Sequence, residues 1–580
     1  MRIKTKFAFI SLILLLIPIA SAAGNIGHIN LLAVSTIGEN ETGSVADLYL
    51  EIKPGTGRVF LDTYPLTKID TQFSTRLANS LACDYTNIDC DKLDFFYTIK
   101  SRSTIVGGPS AGAATTILTI IMLKGEKIPD DFAVTGTINS GGLIGPIAGV
   151  KSKVKAAEEK GLNKVLIPTI NVGNTTEIEN FLNSSKITVV KISNIDDALY
   201  NLTGKRKWKN SSLEVSTVFT EVMGKIAESL CDATKKIMVN WTNTTFENRG
   251  KALYEKSLNA SKDRAYYSQA SFCFGANVQF RNLDLKNKTN PELKNVLNKI
   301  RREIINLEDS IDSMEISTID DLQTYIIVKE RINDAKEYIV KIDIGKNYTN
   351  LSSENIAYSI ERYNSAVAWS KFFGTGKKGK TLSKESQRTA CIGKISEVQG
   401  YKQYISTYID TPLVNIDKDI DDAANYLEKG DYALCISKAS RAKAESSMIL
   451  EALSISNDEM KTLLSQKIEI AKQSIISEQE KGIFPILGYS YYEYAKSLSE
   501  SDPNSALLYT AYSIELSNLD VYFEQKKDDI VMKKDYTTTY IFMLGIVLGI
   551  ILTSSVVIIK NKMSNSKKHK NFRKPNNKKR

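Results

Sequence analysis

Residues 540–559 form a run of twenty residues without a single charge, and ten basic residues follow, from Lys560 to Arg580. A segment of that length and polarity satisfies its backbone in a bilayer only as a helix. The basic tail, residues 560–580, then belongs on the cytoplasmic face. The other end of the chain carries a second apolar run, residues 7–20, behind Arg2, Lys4 and Lys6 and before Ala20-Ser21-Ala22. It is short for a span and reads as a cleavable leader, residues 1–22. Together the two ends predict a single-pass protein of the cell membrane, with everything between them outside the cytoplasm.

That topology explains the charge. The chain totals +10, but the leader and tail hold thirteen basic and no acidic residues, which leaves the rest at about −3. A basic nucleic-acid-binding surface is therefore not expected, and the tail is accounted for by topology and anionic lipid. All six cysteines lie in the outer segment, where disulfides form readily. Pairing of neighbours, Cys83 with Cys90, Cys231 with Cys273 and Cys391 with Cys435, is the simplest of 15 connectivities. Eleven Asn-x-Ser/Thr sequons, from Asn40 to Asn350, are candidate glycosylation sites.

The outer segment changes character along its length. Residues 26–204 mix strand-like alternation with helical stretches. The pattern predicts helices over 71–81, 109–124 and 151–160, and strands over 132–138, 165–168 and 187–192. From 212 to 534, Pro and Gly become scarce and helical periodicity dominates. Helices are predicted over 291–319 and 322–344. Helical hairpins are predicted around Lys429-Gly430-Asp431-Tyr432 and Ser501-Asp502-Pro503-Asn504, as a bundle or as tetratricopeptide-like pairs.

The chemistry is bounded by what is scarce. The two histidines are His28 and His569, one beside the leader and one in the tail. Ser-His-Asp and Cys-His sites, and histidine-based zinc sites, are poorly supplied. No Cys-x-x-Cys occurs. No cofactor and no metal is expected. What stands out is Gly108-Pro109-Ser110-Ala111-Gly112, which opens a predicted helix. Ser110 there either caps the helix or sits among unpaired N–H groups suited to an oxyanion. A serine nucleophile without histidine needs another base, and a lysine serves if it is neutral. At a pKa of about 10.4, only about one lysine in a few thousand is neutral at pH 7. Lys151, at the start of a predicted helix after Gly145-Pro146-Ile147-Ala148-Gly149-Val150, is the candidate, because a helix N-terminus disfavours its charge.

These segments together resemble the Lon protease family. Gly108-Pro109-Ser110-Ala111-Gly112 is similar to that family's nucleophile motif. Val134-Thr135-Gly136-Thr137-Ile138 is similar to its T-G-x-I strand, and Pro146 to Lys153 to its P-I-G-G-[LV]-K-x-K segment. Order and spacing agree over residues 26–204 and not beyond. The resemblance implies an α+β Lon-type proteolytic domain over 26–204, followed by a mostly α-helical ectodomain over 212–534 and the membrane helix. It implies Ser110 as nucleophile, Lys151 as general base and Thr135 as the residue orienting the lysine. Gly108, Pro109 and Ala111 would form the substrate or oxyanion loop. It further implies polypeptide substrates and homo-oligomers. The pattern is that of an archaeal, secreted branch without the ATPase module. Gly107 departs from the Asp that many of the family place three residues before the serine, and Ala148 departs from Gly. The activity expected is ATP-independent endopeptidase action outside the cytoplasm. The alternative is an inactive or auto-processing domain in a surface scaffold protein.

Overall fold

The computed structural model describes residues 26–570 apart from 38–39, 65–66, 102–106, 172–174, 209–211, 240–246, 343–349, 377–380, 454, 457 and 524–536. The leader and the last ten residues of the tail lie outside the described residues. Two units are separate by contact: residues 27–527, and the C-terminal segment from Asp528 onward together with the first 26 residues.

The larger unit begins with α/β architecture. Its strands are β1 (Ile26–Ile37), β2 (Asn40–Pro54), β3 (Val59–Tyr64), β4 (Leu93–Lys100), β5 (Phe132–Val134), β6 (Thr137–Ile138), β7 (Ile144–Gly145), β8 (Lys164–Pro168) and β9 (Thr188–Ile192). Seven of them make one mixed sheet in the order β3-β4-β2-β1-β5-β8-β9, while β6 and β7 form a separate antiparallel ribbon. β2 runs antiparallel to β4, and the β1–β5, β3–β4, β5–β8 and β8–β9 pairs are parallel. Alternation along β4 buries Leu93, Phe95, Tyr97 and Ile99 on one face, as a strand with one solvated side requires.

Five helices belong to this part: α1 (Ile69–Thr86), α2 (Gly112–Leu123), α3 (Val150–Lys160), α4 (Thr175–Asn183) and α5 (Ile195–Thr203). α2, with the sequence GAATTILTIIML, is apolar on all sides and buries eleven of its twelve residues, so it is the central helix of the layer. Its threonines do not spoil the core. Thr115, Thr116 and Thr119 donate to the carbonyls of Ala111, Gly112 and Thr115, one turn back. The single strand predicted over 132–138 is broken in two. The chain leaves the main sheet after Val134 and joins the ribbon at Thr137. At the break lies Gly136, where a Cβ would lie 2.4 Å from Ile144 Cγ2 and 3.3 Å from the Ala113 side chain, so the absence of a side chain lets the backbone pass close to β7.

The remainder of this unit is helical: α6 (Thr217–Met238), α7 (Glu247–Lys262), α8 (Tyr266–Lys286), α9 (Asn290–Asp312), α10 (Ile319–Val340), α11 (Asn350–Trp369), α12 (Lys384–Ile405), α13 (Val414–Lys429), α14 (Tyr432–Ala452), α15 (Met460–Glu480), α16 (Ile486–Leu498) and α17 (Pro503–Ser517). The two hairpins fall where their turn residues put them. Gly430 takes φ 75° between α13 and α14, and the Asp502 side chain accepts from Ser505 N at the start of α17. The expected helix over 291–319 ends at Asp312, before the Thr318 cap that opens α10. The three neighbouring cysteine pairs are all joined. Two of the disulfides clamp α6 to α8 and α12 to α14. Leu143 and Ile170 of the α/β part lie in the same buried apolar cluster as the helical residues, so the core is continuous across the two parts.

In the second unit, α18 (Thr537–Lys570) contains the stretch Phe542–Ser564, the one helix among the described residues long and apolar enough to cross a membrane.

Candidate active site

Ser110 lies in a single tight turn, Pro109–Ala111, that leads into the buried helix α2. Gly108, before it, adopts φ 103°, a conformation closed to side chains, so only glycine can set the approach of this turn. The turn is stitched to the break in the sheet. The Ser110 carbonyl accepts from Gly136 N at 2.9 Å, and Ala113 N donates to the Gly136 carbonyl at 3.0 Å. Thr135, fully buried, donates its hydroxyl to the Ser110 carbonyl at 3.5 Å. Its own N–H goes to Leu166 of β8 at 3.1 Å. The serine turn, the glycine break and the main sheet are thus one rigid assembly.

A lysine completes the cluster, and it is not the one the sequence pointed to. Lys151 places its ammonium on the exposed Glu177 of α4, with its side chain about one-third open to solvent. Lys153, only 2% exposed, donates to the Thr135 hydroxyl at 3.4 Å. The reason is helical geometry. α3 turns its Val150, Val154 and Ala157 into the core, and Lys153 shares that face, whereas Lys151 projects from the opposite one. Burial pushes the Lys153 amine down from 10.5 to about 8, and Glu41 opposes this only in part. Among the described residues no carboxylate pairs with Lys153. The signal that could have found it is the spacing. Lys153 stands three residues after Val150 and one before Val154, on the apolar stripe of its helix.

A second unforeseen residue is Asp70, in the first turn of α1. Its carboxylate accepts from Gly108 N at 2.9 Å and from Thr71 N at 2.6 Å. At Gly107 a side chain would meet the Lys68 stem, whose Cδ lies 2.7 Å from where a Cβ would be. Lys68 is exposed and its stem can move aside, so the position is not closed to a side chain; here an acid from α1, Asp70, holds the loop. Gly108 and Pro109, expected in the oxyanion loop, have no free N–H: one is bonded to Asp70 and the other residue is a proline. Ser110 and Ala111 remain at the helix opening. Among the described residues no three His, Cys, Asp or Glu side chains are grouped so as to hold a metal.

A serine thus stands on the N-terminal turn of a buried helix, with a desolvated lysine on the adjoining hydroxyl. Residues 79–204 match the Lon protease (S16) C-terminal proteolytic domain. Over those residues the α/β part is similar to that proteolytic domain, at modest identity to its relatives. The chain is 37% identical over 109 residues to a Lon protease of Methylocella silvestris, covering 19% of this chain and 13% of that one. It is 32% identical over 151 residues to one of Paraburkholderia phytofirmans, covering 25% and 18%. It is 29% identical over 189 residues to an archaeal Lon protease of Archaeoglobus fulgidus, covering 32% and 29%. The chain thus spans less than a third of the length of these curated relatives.

Proposed function

We propose that this protein is a membrane-anchored serine endopeptidase that hydrolyses polypeptides outside the cytoplasm without ATP, with Ser110 as nucleophile and Lys153 as general base. The observation that carries this reading is the buried Lys153, with no paired carboxylate among the described residues, on the Thr135 hydroxyl beside the Ser110 turn. With its amine near pH 8, roughly a tenth of the molecules hold it neutral at pH 7, against about one in a few thousand for an ordinary lysine. In this mechanism Lys153 takes the Ser110 hydroxyl proton as the oxygen attacks the substrate carbonyl. The N–H groups of Ser110 and Ala111 receive the oxyanion at the positive end of α2. Lys153 then returns the proton to the departing amine, and water repeats the sequence on the acyl-enzyme. Thr135 holds the amine in place.

The anchoring rests on the apolar helix α18 and the basic residues behind it, and the outer location on the leader-like N-terminus and the three disulfides. The test is hydrolysis of casein and of a broad peptide library by the full chain in detergent micelles, beside Ser110→Ala, Lys153→Met and Lys151→Ala. The reading requires that wild type and Lys151→Ala cleave and the other two do not. Equal inactivity of all four, together with no labelling of Ser110 by a fluorophosphonate, overturns it.

A further inference from the structure

Next to the serine turn, the α/β and helical parts enclose a pocket of about 130 Å³ between them. The α/β wall includes Pro109, which directly precedes Ser110, with Leu77 of α1 and Ile138 of β6. The facing wall comes entirely from the helical part: Tyr401, Tyr404 and Tyr408 at the end of α12, and Leu453 just past α14. This second wall is fixed in place. Phe73 of α1 packs edge-on to Tyr401 at 4.9 Å and stacks on Tyr404 at 5.1 Å, and the Tyr404 and Tyr408 hydroxyls are 2.9 Å apart. Tyr408 and Leu453 are 54% and 50% exposed. Single exposed apolar residues are ordinary, but these two stand together at the rim of a pocket beside the nucleophile.

The size and charge of the pocket limit what enters. A dry cavity of about 150 Å³ holds a benzene, so this one matches a Leu, Met or Phe side chain and is small for Trp. Its one charged lining residue, Glu451, is 1% exposed and already bound to the equally buried Lys467 at 2.5 Å and to the Ser447 hydroxyl at 3.0 Å. No carboxylate is left there to attract a basic side chain.

We infer that this pocket receives a medium-sized apolar side chain of the polypeptide substrate next to the scissile bond, so that the helical part, through its tyrosines and Leu453, sets the specificity of the peptidase part. The inference rests on the peptidase reading above. It also gives the helical region a function in the reaction: the proteolytic domain supplies the chemistry, and half of the selectivity wall comes from outside it.

The experiment compares kcat/KM of the full chain in detergent micelles on quenched peptides that differ in the residue preceding the cleaved bond. Wild type is expected to cleave after Leu, Met and Phe about tenfold or more faster than after Ala, Lys or Trp. Tyr408→Ala and Leu453→Arg, at half-exposed positions where folding tolerates change, are expected to remove about tenfold of that preference, read as the ratio of kcat/KM on the Leu peptide to that on the Ala peptide. Tyr408→Phe is expected to retain it. Unchanged selectivity in Tyr408→Ala and Leu453→Arg, with cleavage still dependent on Ser110, overturns the pocket and leaves the peptidase reading standing. An equal gain on every peptide overturns it too, since the helical wall would then be an obstruction. No cleavage and no fluorophosphonate labelling of Ser110 removes both readings together.

Discussion

The α/β part and the helical part both bury lysines, and they treat them in opposite ways. In the helical part each buried ammonium has carboxylates. Lys443 lies 2.8 Å from Glu397 and 3.1 Å from Glu515, and Lys438 lies 2.8 Å from Asp419. Burial alone would lower their pKa values, but the carboxylates outweigh it and hold both above the ordinary range. Lys467 and Glu451 form a pair with essentially no exposure. In the α/β part Lys153 is just as hidden, yet its near neighbour is a hydroxyl, and burial drives its amine down to about 8. Burial lowers a lysine's pKa only where no close carboxylate outweighs it. The helical lysines have such partners, and for Lys153 Glu41 offsets burial only in part.

This contrast can be broken in a definite order of effect. Lys153→Met is expected to lower peptide hydrolysis by about 10³-fold or more, without the loss of fold that removal of a paired lysine brings. Lys467→Met, conversely, leaves Glu451 charged and alone in the core. It is expected to cost roughly 3–5 kcal/mol in denaturant unfolding, while hydrolysis under stabilising conditions still depends on Ser110. If Lys153→Met unfolds the protein and Lys467→Met does not, the contrast is inverted.

The pH dependence sharpens it further. A base that titrates at about 8 in the folded chain is neutral above that value. Hydrolysis is expected to rise about tenfold per unit up to pH 8 and then level off, as read from kcat/KM against pH. The unfolded chain holds this proton up to about 10.5. Between the two values it binds more protons than the folded chain, so the contribution of Lys153 makes stability rise with pH across that window.

Thr135→Val, which removes the hydroxyl that orients the amine, is expected to lower kcat by about tenfold with KM little changed, and to shift the acidic limb of the profile. The smallest effect is expected of Lys151→Ala, within about twofold of wild type in the same assay, since its partner Glu177 is exposed and such pairs contribute little. Loss of activity in this variant with retention in Lys153→Met would return the base to Lys151.

Much of this was legible in the chain. The Gly-Pro-Ser-Ala-Gly run marked the serine because only small residues tolerate that approach to a helix opening. The Gly430 and Asp502-Pro503 turns marked their hairpins. Less legible was the break at Thr135-Gly136, because β-branched and apolar residues on both sides of Gly136 continue the strand pattern across it, and the close approach of Ile144 at that glycine exists only in the folded chain. Asp70 was illegible as a loop clamp, since an acid in a first helical turn reads as an ordinary helix-end charge. The tyrosine wall beside Pro109 was likewise hidden, because it joins residues some 300 positions apart.

By itself the sequence determined the nucleophile candidate, the scarcity of histidine that turns attention to lysine, and the one apolar helix near the C-terminus. These are properties of composition and local spacing. Helical spacing puts Lys153 on the apolar stripe of α3, but that this stripe faces the Thr135 hydroxyl was decided only by tertiary structure. Lys151 and Lys153 stand two residues apart, about 200° around one helix. Which of them meets the serine turn depends on the face that α3 presents to the sheet. A one-dimensional motif contains both lysines; the core admits one of them, and among the described residues pairs it with a hydroxyl and not with a carboxylate.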